Sequence, residues 1–298
     1  MKVLLLFIDG FGIGEEDRDK NPFIDATTPN LDKIKEAYVM IPTDTTLGVE
    51  GIPQSASGQT TLLTGVNGPK ALGHHLNGFP TPTLKKILYE KSIFKQLKEN
   101  GYKVTNANAY TKEYLENMGK IKGVKWGVSA TTIATMAADI PFRTEEDLAN
   151  RNAVYQDITN EIMIHEWQQP VKKLHPHEAG QILAKIVSQH DFTLFEYFQT
   201  DIAGHKQNKE KAIEIIERID QFIGGILDEI NLEETLIIIT SDHGNIEDLS
   251  IKTHTMNPVP TMLIGKSVEV IKDDIKDLMD IVPAIIKVLT QKFKSKLN

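Results

Sequence analysis

The sequence predicts an α/β fold, with a mostly parallel sheet and helices on both of its faces. Several short segments are continuously apolar instead of alternating with polar residues, which is typical of strands buried on both faces. Amphipathic segments with helical spacing lie between them. This alternation of strand and helix is the pattern of a sheet built from crossover units.

The expected elements follow from these two patterns. Four strands are predicted, at residues 3–8, 192–198, 236–239 and 260–264. Four helices are predicted, at residues 83–100, 177–189, 209–230 and 273–290, the last with a kink at Pro283, because proline removes a helical hydrogen bond. Ligand sites in such folds gather at the carboxyl ends of the strands, so polar residues directly after each strand are candidates for function.

The middle of the chain differs from the rest. It contains a loop-like stretch at 73–80, a run rich in threonine and alanine at 129–138, and an amphipathic stretch at 145–167. We therefore predict a discontinuous catalytic core of residues 1–75 and 177–298. Residues 76–176 would form an inserted cap or substrate-binding region.

Composition excludes several classes of protein. The 298 residues include 33 Lys+Arg and 41 Asp+Glu, a net charge of −8, which argues against a nucleic-acid partner. The absence of cysteine excludes disulfides, thiolate-bound metals and thiol nucleophiles. The apolar run at 3–8 is too short for a signal peptide, and no stretch has the roughly 20 apolar residues of a membrane span. We expect a cytoplasmic protein with no membrane partner.

Two of the predicted strands are followed by candidate metal ligands. Asp9 ends the first strand, and Asp201 and His205 follow the strand at 192–198. A spacing of four places Asp201 and His205 on one face of a helical turn, where both can reach one cation. Taken singly, each aspartate could equally be a turn or helix-cap residue.

The next strand supplies a second set. Asp242 and His243 directly follow the strand at 236–239, and His254 precedes the strand at 260–264. Carboxylate and imidazole together suit a borderline divalent ion. Three aspartates and three histidines at strand edges exceed what turns require, and they are enough for two divalent cations with open positions for a substrate.

A candidate nucleophile lies in residues 51–65. Small hydroxyl residues there precede an apolar helical run, so a serine is expected at a helix N-terminus, which favours negative charge. A serine activated by metal coordination is a competent nucleophile. The alternative is a simple helix cap.

These motifs, in this order, resemble the metalloenzyme core of the alkaline phosphatase superfamily, and in particular cofactor-independent phosphoglycerate mutase and phosphopentomutase. The resemblance rests on Asp9-Gly10, Thr28-Pro29-Asn30-Leu31-Asp32, the Ser55 loop, the segment 201–205, Ser241-Asp242-His243-Gly244-Asn245 and the segment 254–260. It implies an alkaline-phosphatase-like fold. No family motif matches the middle segment.

The resemblance also implies roles for the metal ligands. One metal would be held by Asp201, His205 and His254. The second would be held by Asp9, Asp242 and His243, with the nucleophile bridging toward it. Two divalent cations are expected as cofactors, Mn or Zn by preference, with Mg as an alternative.

The resemblance further selects the nucleophile. In those mutases the nucleophilic serine or threonine stands three residues before a glycine, which selects Ser55 over Ser57 by its spacing to Gly58. The mutases have histidine after that glycine, whereas this chain has Gln59. Any contact made by that histidine is therefore not carried over.

The predicted reaction is in-line phosphoryl transfer from a small phosphorylated substrate to Ser55, and then from the phosphoserine to water or a second hydroxyl. Hydrolysis ranks above mutase activity, because the related phosphoglycerate mutase has a much larger insertion and because only two of the four arginines, Arg143 and Arg151, lie in the candidate cap. The alternatives are a phosphomutase of the phosphoglycerate mutase or phosphopentomutase type, and a non-catalytic metal-binding member of the fold. A sulfatase is disfavoured, since neither serine has the required Pro and Arg context.

The remaining candidates are contacts around the site. His74, His75, Arg143 and Arg151 are the predicted substrate-binding residues. Asn245 and Asn257 are predicted to support the site by hydrogen bonding. The sequence leaves the substrate and the oligomeric state open.

Overall fold

A computed structural model describes residues 1–120 and 127–294. Its centre is a six-stranded sheet with the strand order β2-β6-β5-β1-β4-β3. The strands are β1 (Lys2–Ile8), β2 (Val39–Thr43), β3 (Val104–Asn106), β4 (Phe192–Tyr197), β5 (Thr235–Thr240) and β6 (Val259–Gly265).

The sheet is mostly parallel. Strand β1 pairs in parallel with β4 and β5, and β3 pairs in parallel with β4. Strand β6 is antiparallel to both of its neighbours, β5 and β2. The sequence did not predict the two edge strands, because β3 has three residues and β2 contains Pro42, which limits it to an edge position.

Helices cover both faces of the sheet. They are α1 (Pro29–Ala37), α2 (Ser55–Thr64), α3 (Gly68–Leu72), α4 (Pro82–Lys91), α5 (Ile93–Glu99), α6 (Lys112–Asn117), α7 (Ala130–Ala137), α8 (Glu145–Ala149), α9 (Glu161–His165), α10 (Pro176–Ser188), α11 (Gln199–Lys206), α12 (Lys209–Glu229), α13 (Val268–Ile271) and α14 (Ile281–Lys294). Within the described ranges, no helix is both long enough and apolar enough to span a membrane.

The two faces of β1 explain its continuous apolar sequence. Leu4 and Leu6 point into a core formed with α1, α10 and α12. Val3 and Leu5 point to the opposite face, into a core formed with α2, α4, α5, α7 and α14. Because successive side chains alternate between the faces of a strand, burial on both faces requires an apolar residue at every position. The predicted fold class is confirmed.

The helix predicted at residues 83–100 is two helices. The chain leaves α4 at Ser92, whose backbone is extended, and α5 begins at Ile93. The Ser92 side chain accepts a hydrogen bond from the backbone N–H of Lys95. Ser92 therefore caps a new helix, and the apolar spacing alone did not show the break.

The helix predicted at residues 273–290 begins later, so that Pro283 lies in its first turn. Helix α14 starts at Ile281, after a short 3₁₀ turn at Leu278–Asp280. Pro283 is thus the third residue of α14. The N–H groups of a first helical turn have no intrahelical partner, so proline removes no hydrogen bond at this position.

The middle segment contributes to two cores. Leu88 of α4 and Ile133 of α7 pack in the same core as Val3 of the sheet. A separate small cluster includes Leu148 and Met163. The division into a core of residues 1–75 and 177–298 and a cap of residues 76–176 stays a prediction.

Candidate active site

The candidate ligands converge because of the strand directions. Asp9 and Asp242 follow β1 and β5, and Asp201 lies in the first turn of α11, directly after β4. The carboxyl ends of these parallel strands meet at one edge of the sheet. Strand β6 runs the opposite way, so its amino end, preceded by His254, lies at the same edge.

The first candidate metal group consists of Asp201, His205 and His254. His205 Nε2 lies 3.3 Å from Asp201 Oδ2, and His254 Nε2 lies 3.4 Å from Asp201 Oδ1. The two Nε2 atoms are 3.2 Å apart. Donor atoms bonded at about 2.1 Å to a tetrahedral cation lie about 3.4 Å from one another. The three side chains are therefore spaced as ligands of one ion.

The second group is arranged around the Nε2 atom of His243. That nitrogen lies 3.3 Å from Asp9 Oδ1, 3.5 Å from Asp242 Oδ2 and 3.0 Å from Ser55 Oγ. Asp201 also belongs to this group, together with Asp9 and His243. The carboxylate of Asp201 thus lies between the two groups, although the family resemblance assigns it to one metal.

Backbone carbonyls orient all three histidines. The Nδ1–H of His205 donates to Lys252 O at 2.9 Å, and that of His254 donates to Pro53 O at 3.0 Å. The Nδ1–H of His243 donates to Gly244 O at 3.3 Å. These hydrogen bonds place a proton on each Nδ1, so that the Nε2 atom of the neutral ring can bind a cation, as in metal-binding histidines.

Two buried carboxyl groups of the site have oxygen atoms that accept no hydrogen bond. Both carboxyl oxygens of Asp242 and the Oδ1 atom of Asp9 have no hydrogen-bond partner. Burial and the neighbouring Asp242 raise the pKa of Asp9, and burial and the neighbouring Asp201 raise the pKa of Asp242. Unpaired buried carboxylates are costly, and a bound cation removes that cost. The residues present therefore fit a divalent ion.

Asp201 and His243 have the protonation states that a metal requires, whereas its hydrogen bond to Asp201 raises the pKa of His205. Burial acts to raise the pKa of Asp201, but hydrogen bonds from His205 and His254 outweigh it and hold the pKa below its usual range. Burial, followed by the neighbouring His254, lowers the pKa of His243 from 6.5 to about 3. His243 is accordingly neutral at physiological pH.

Ser55 and Ser57 have different surroundings. Ser55 is the first residue of α2, and its hydroxyl donates to His243 Nε2. The Ser57 hydroxyl is buried, donates to Gln54 O and accepts from Leu76 N. Ser55 is therefore the serine that faces the candidate ligands. Gln59 donates from Nε2 to Asp9 Oδ2 at 3.1 Å.

Asn245 and Glu247 hold the ligand loops together. Asn245 donates to Asp201 Oδ1 at 2.6 Å. The buried Glu247 accepts hydrogen bonds from the backbone N–H groups of Gly12 and Asn245 and from the Asn257 side chain. Sequence reasoning missed Glu247, because a carboxylate in a loop carries no signal until its donors are known.

A cavity of about 510 Å³ opens beside Ser55. Its surface is mainly apolar, and the aromatic residues in its wall are Phe79, Tyr110, Tyr114, Tyr155, Trp167 and Phe198. The acidic side chains that line it are Asp9, Asp201 and Glu196, and among the residues that the structure describes no Lys or Arg lines it. The sequence predicted none of the aromatic wall, because its members come from distant segments.

The four predicted substrate contacts lie elsewhere. Arg143 bonds to Asn106 O and to Thr105 Oγ1, and Arg151 pairs with Glu178. His75 Nε2 lies 3.2 Å from Val49 O, and neither it nor His74 lines the cavity. Their assignment stays a prediction without geometric support.

The chain is similar to known metalloenzymes. A family model described as Metalloenzyme superfamily matches residues 1–292. The 2,3-bisphosphoglycerate-independent phosphoglycerate mutase of Pyrococcus abyssi is 37% identical over 86 residues, which are 29% of this chain and 20% of the relative. The 2,3-bisphosphoglycerate-independent phosphoglycerate mutase 1 of Methanocaldococcus jannaschii is 31% identical over 98 residues, which are 33% of this chain and 23% of the relative. The matches thus cover about a fifth of the relatives' length.

Solved structures show the same fold. A protein from Pyrococcus horikoshii superposes with a TM-score of 0.59 at 21% identity, covering 97% of this chain and 96% of that one. The alkaline phosphatase from the Antarctic bacterium TAB5 superposes with a TM-score of 0.52 at 15% identity, covering 97% of both chains.

Proposed function

The chain belongs to the Metalloenzyme superfamily, and on this premise we propose that it is a metal-dependent phosphohydrolase that acts on a small phosphate ester through a phosphoserine at Ser55. The observation that carries the proposal is the position of Ser55 Oγ. It lies 3.0 Å from His243 Nε2, the atom around which Asp9 and Asp242 are also arranged.

The candidate ligands form two sets, one for each of two proposed cations. Asp201, His205 and His254 would hold one, and Asp9, Asp242 and His243 would hold the other next to Ser55. When bound, divalent cations neutralise charge on phosphoryl oxygens and lower the pKa of a coordinated hydroxyl. Asn245 and Glu247 keep the ligand loops at fixed positions, as supporting residues do in metal sites.

The reaction has two halves. In the first, Ser55 Oγ attacks phosphorus, the ester P–O bond breaks, and the alcohol leaves after gaining a proton equivalent to the one lost by the serine. In the second, water attacks the phosphoserine, the P–Oγ bond breaks, and Ser55 regains its proton as inorganic phosphate is released. The N-terminus of α2, where Ser55 is the first residue, would favour the negative charge of the transferred phosphoryl group.

The test compares two serines of the same helix. Ser55→Ala is expected to abolish hydrolysis of 4-nitrophenyl phosphate and phosphorylation of the peptide containing residue 55, measured by mass spectrometry after acid quench. The matched control, Ser57→Ala, keeps both, since Ser57 makes only structural hydrogen bonds. Phosphoenzyme formation or turnover in Ser55→Ala would refute the assignment.

Assays with Mn²⁺, Zn²⁺ and Mg²⁺ test the proposed preference for the first two.

The choice of hydrolysis over mutase activity rests on charge. Arg143 and Arg151 are bonded outside the cavity, and no described Lys or Arg lines it, so cations that would retain a phosphorylated intermediate are absent from the described wall. The names of the relatives support the mutase alternative. Release of inorganic phosphate from 4-nitrophenyl phosphate supports the hydrolase, and formation of 2-phosphoglycerate from 3-phosphoglycerate would overturn it. Bound metal without turnover on any ester favours a non-catalytic protein.

A further inference from the structure

The cavity beside Ser55 suggests what kind of alcohol the substrate carries. We propose that the leaving alcohol bears an uncharged aromatic ring, which binds between the aromatic side chains of this cavity. The proposal rests on the proposed function at Ser55, and it goes beyond that function by naming a substrate class.

The aromatic wall is a packed and supported surface. The rings of Tyr110 and Tyr114 stack at a centroid distance of 5.8 Å, and Phe142 contacts Tyr110 edge-on at 5.0 Å. The Tyr110 hydroxyl accepts hydrogen bonds from Asn106 and Thr132. The Tyr114 hydroxyl donates to Gly127 O at 2.8 Å. With the hydroxyls bonded to protein, the rings offer mainly apolar surface, which suits an aromatic partner.

Phe79 contributes to the wall from the loop between α3 and α4. It lies against Gly127, where a Cβ atom would come within 2.2 Å of the Phe79 ring. Its side chain is 38% exposed, although it also lines the cavity. An exposed phenylalanine beside an apolar cavity gains burial when an apolar ligand binds.

Charge argues against a second anionic group on the substrate. Asp9 and Asp201 belong to the candidate metal groups, which leaves Glu196 as the other acidic side chain of the wall. Glu196 is buried. A carboxylate or second phosphate on the substrate would lie beside it without a described Lys or Arg in the wall to pair with it.

The volume is consistent with this ligand. The cavity measures about 510 Å³, within the roughly 300–1,000 Å³ of sites that enclose small organic ligands. Such sites are mainly apolar with a few polar groups that fix orientation. Here Asp9, which accepts a hydrogen bond from Gln59, and Ser55 both lie next to His243 Nε2. The phosphate would therefore lie at the metal end and the ring at the aromatic end.

The kinetic test uses two esters with the same kind of leaving group. Ethyl phosphate and 2-phenylethyl phosphate both release a primary alcohol, so they differ by the ring and not by alcohol acidity. With metal-loaded enzyme, we expect kcat/KM to be about 10-fold to 100-fold higher for the phenylethyl ester, from the burial of one ring, with most of the change in KM. Equal kcat/KM values for the two esters would overturn the proposal.

A pair of exposed aromatic residues supplies the variant and its control. Phe79→Ala is expected to reduce kcat/KM for 2-phenylethyl phosphate by about 5-fold to 10-fold, while ethyl phosphate changes by less than about 2-fold. Tyr89→Ala removes an aromatic ring that is 42% exposed and lies outside the cavity, and it should change neither value. An equal loss for both esters in Phe79→Ala would contradict a role in ring binding.

Binding of phosphonates separates the two proposals. Calorimetry with 2-phenylethylphosphonate and ethylphosphonate measures the contribution of the ring without turnover. Tighter binding of the phenylethyl compound in a protein that hydrolyses no ester would leave the ring site standing and remove the phosphohydrolase proposal. Hydrolysis of ethyl phosphate together with equal affinities for the two phosphonates would support the phosphohydrolase proposal and remove the ring site.

Discussion

Single residues around the proposed metals show how far each role could be predicted. Asn245 lies two residues after His243, so a supporting hydrogen bond could be predicted, and it donates to Asp201. Glu247 lies two residues further on, but one of its donors is Gly12, 235 residues away in the chain. Its role depends on a contact between loops that no local pattern encodes.

The titration of Glu196 gives a prediction for stability. Burial raises its pKa from 4.5 to about 7, so the folded protein holds this proton more tightly than the unfolded chain. The contribution to stability is complete below pH 4.5 and is lost as pH rises through about 7. In metal-free protein, Glu196→Gln should gain stability over wild type by an amount on the order of 2 kcal/mol between pH 4.5 and 7.5, measured by urea unfolding.

The comparison measures Glu196 together with its effect on two neighbouring carboxyl groups. Asp9 and Asp242 also have raised pKa values, and the charge of Glu196 is one of the causes, so part of the difference between variant and wild type comes from these two groups. A difference in unfolding free energy that stays constant from pH 4.5 to 7.5 would show that Glu196 titrates normally in the folded protein.

At the level of elements, helix α2 must approach the end of β5 closely to bring Ser55 to its position. At Gly58, a Cβ atom would lie 2.9 Å from the backbone oxygen of Asp242 and 3.3 Å from its Cβ. Only glycine allows this approach without a shift of the helix. The glycine three residues after Ser55 is therefore explained by packing, in addition to being the spacing found in the related mutases.

Gly58→Ala tests this contact. The added methyl group should displace α2 from Asp242, lower the free energy of unfolding by about 1 to 3 kcal/mol, and reduce turnover of 4-nitrophenyl phosphate at least 10-fold, since small displacements of a nucleophile are costly. Thermal melting and initial rates measure the two effects. A stable variant with full activity would show that α2 has room to move.

For the whole molecule, the ligands gathered at one edge of the sheet predict how many metal ions the chain binds. Asp201 belongs to both candidate groups, whereas His205 belongs to one. Wild-type protein should bind two divalent ions per chain, His205→Ala should retain one, and Asp201→Asn should weaken both sites. Metal content after dialysis, measured by emission spectrometry, tests this order.

A control and a second measurement complete that test. His177→Ala removes a histidine outside the site, paired with Asp228, and it should still bind two ions. Each occupied site adds about 2.7 kcal/mol at a cation concentration one hundred times the Kd, so chelation should lower Tm more in wild type than in His205→Ala. Loss of a single ion in Asp201→Asn would show that this carboxylate serves one site only.

The sequence by itself determined the fold class, because strands buried on both faces must be apolar at every position. It also determined which polar residues end those strands, since Asp9 and Asp242 directly follow apolar runs. The tertiary structure alone decided that β6 is reversed and brings His254 to the same edge, that Asp201 lies between two groups, and that Phe79 and Tyr110 share one cavity. These arrangements join residues far apart in the chain, and local spacing carries no information about such contacts.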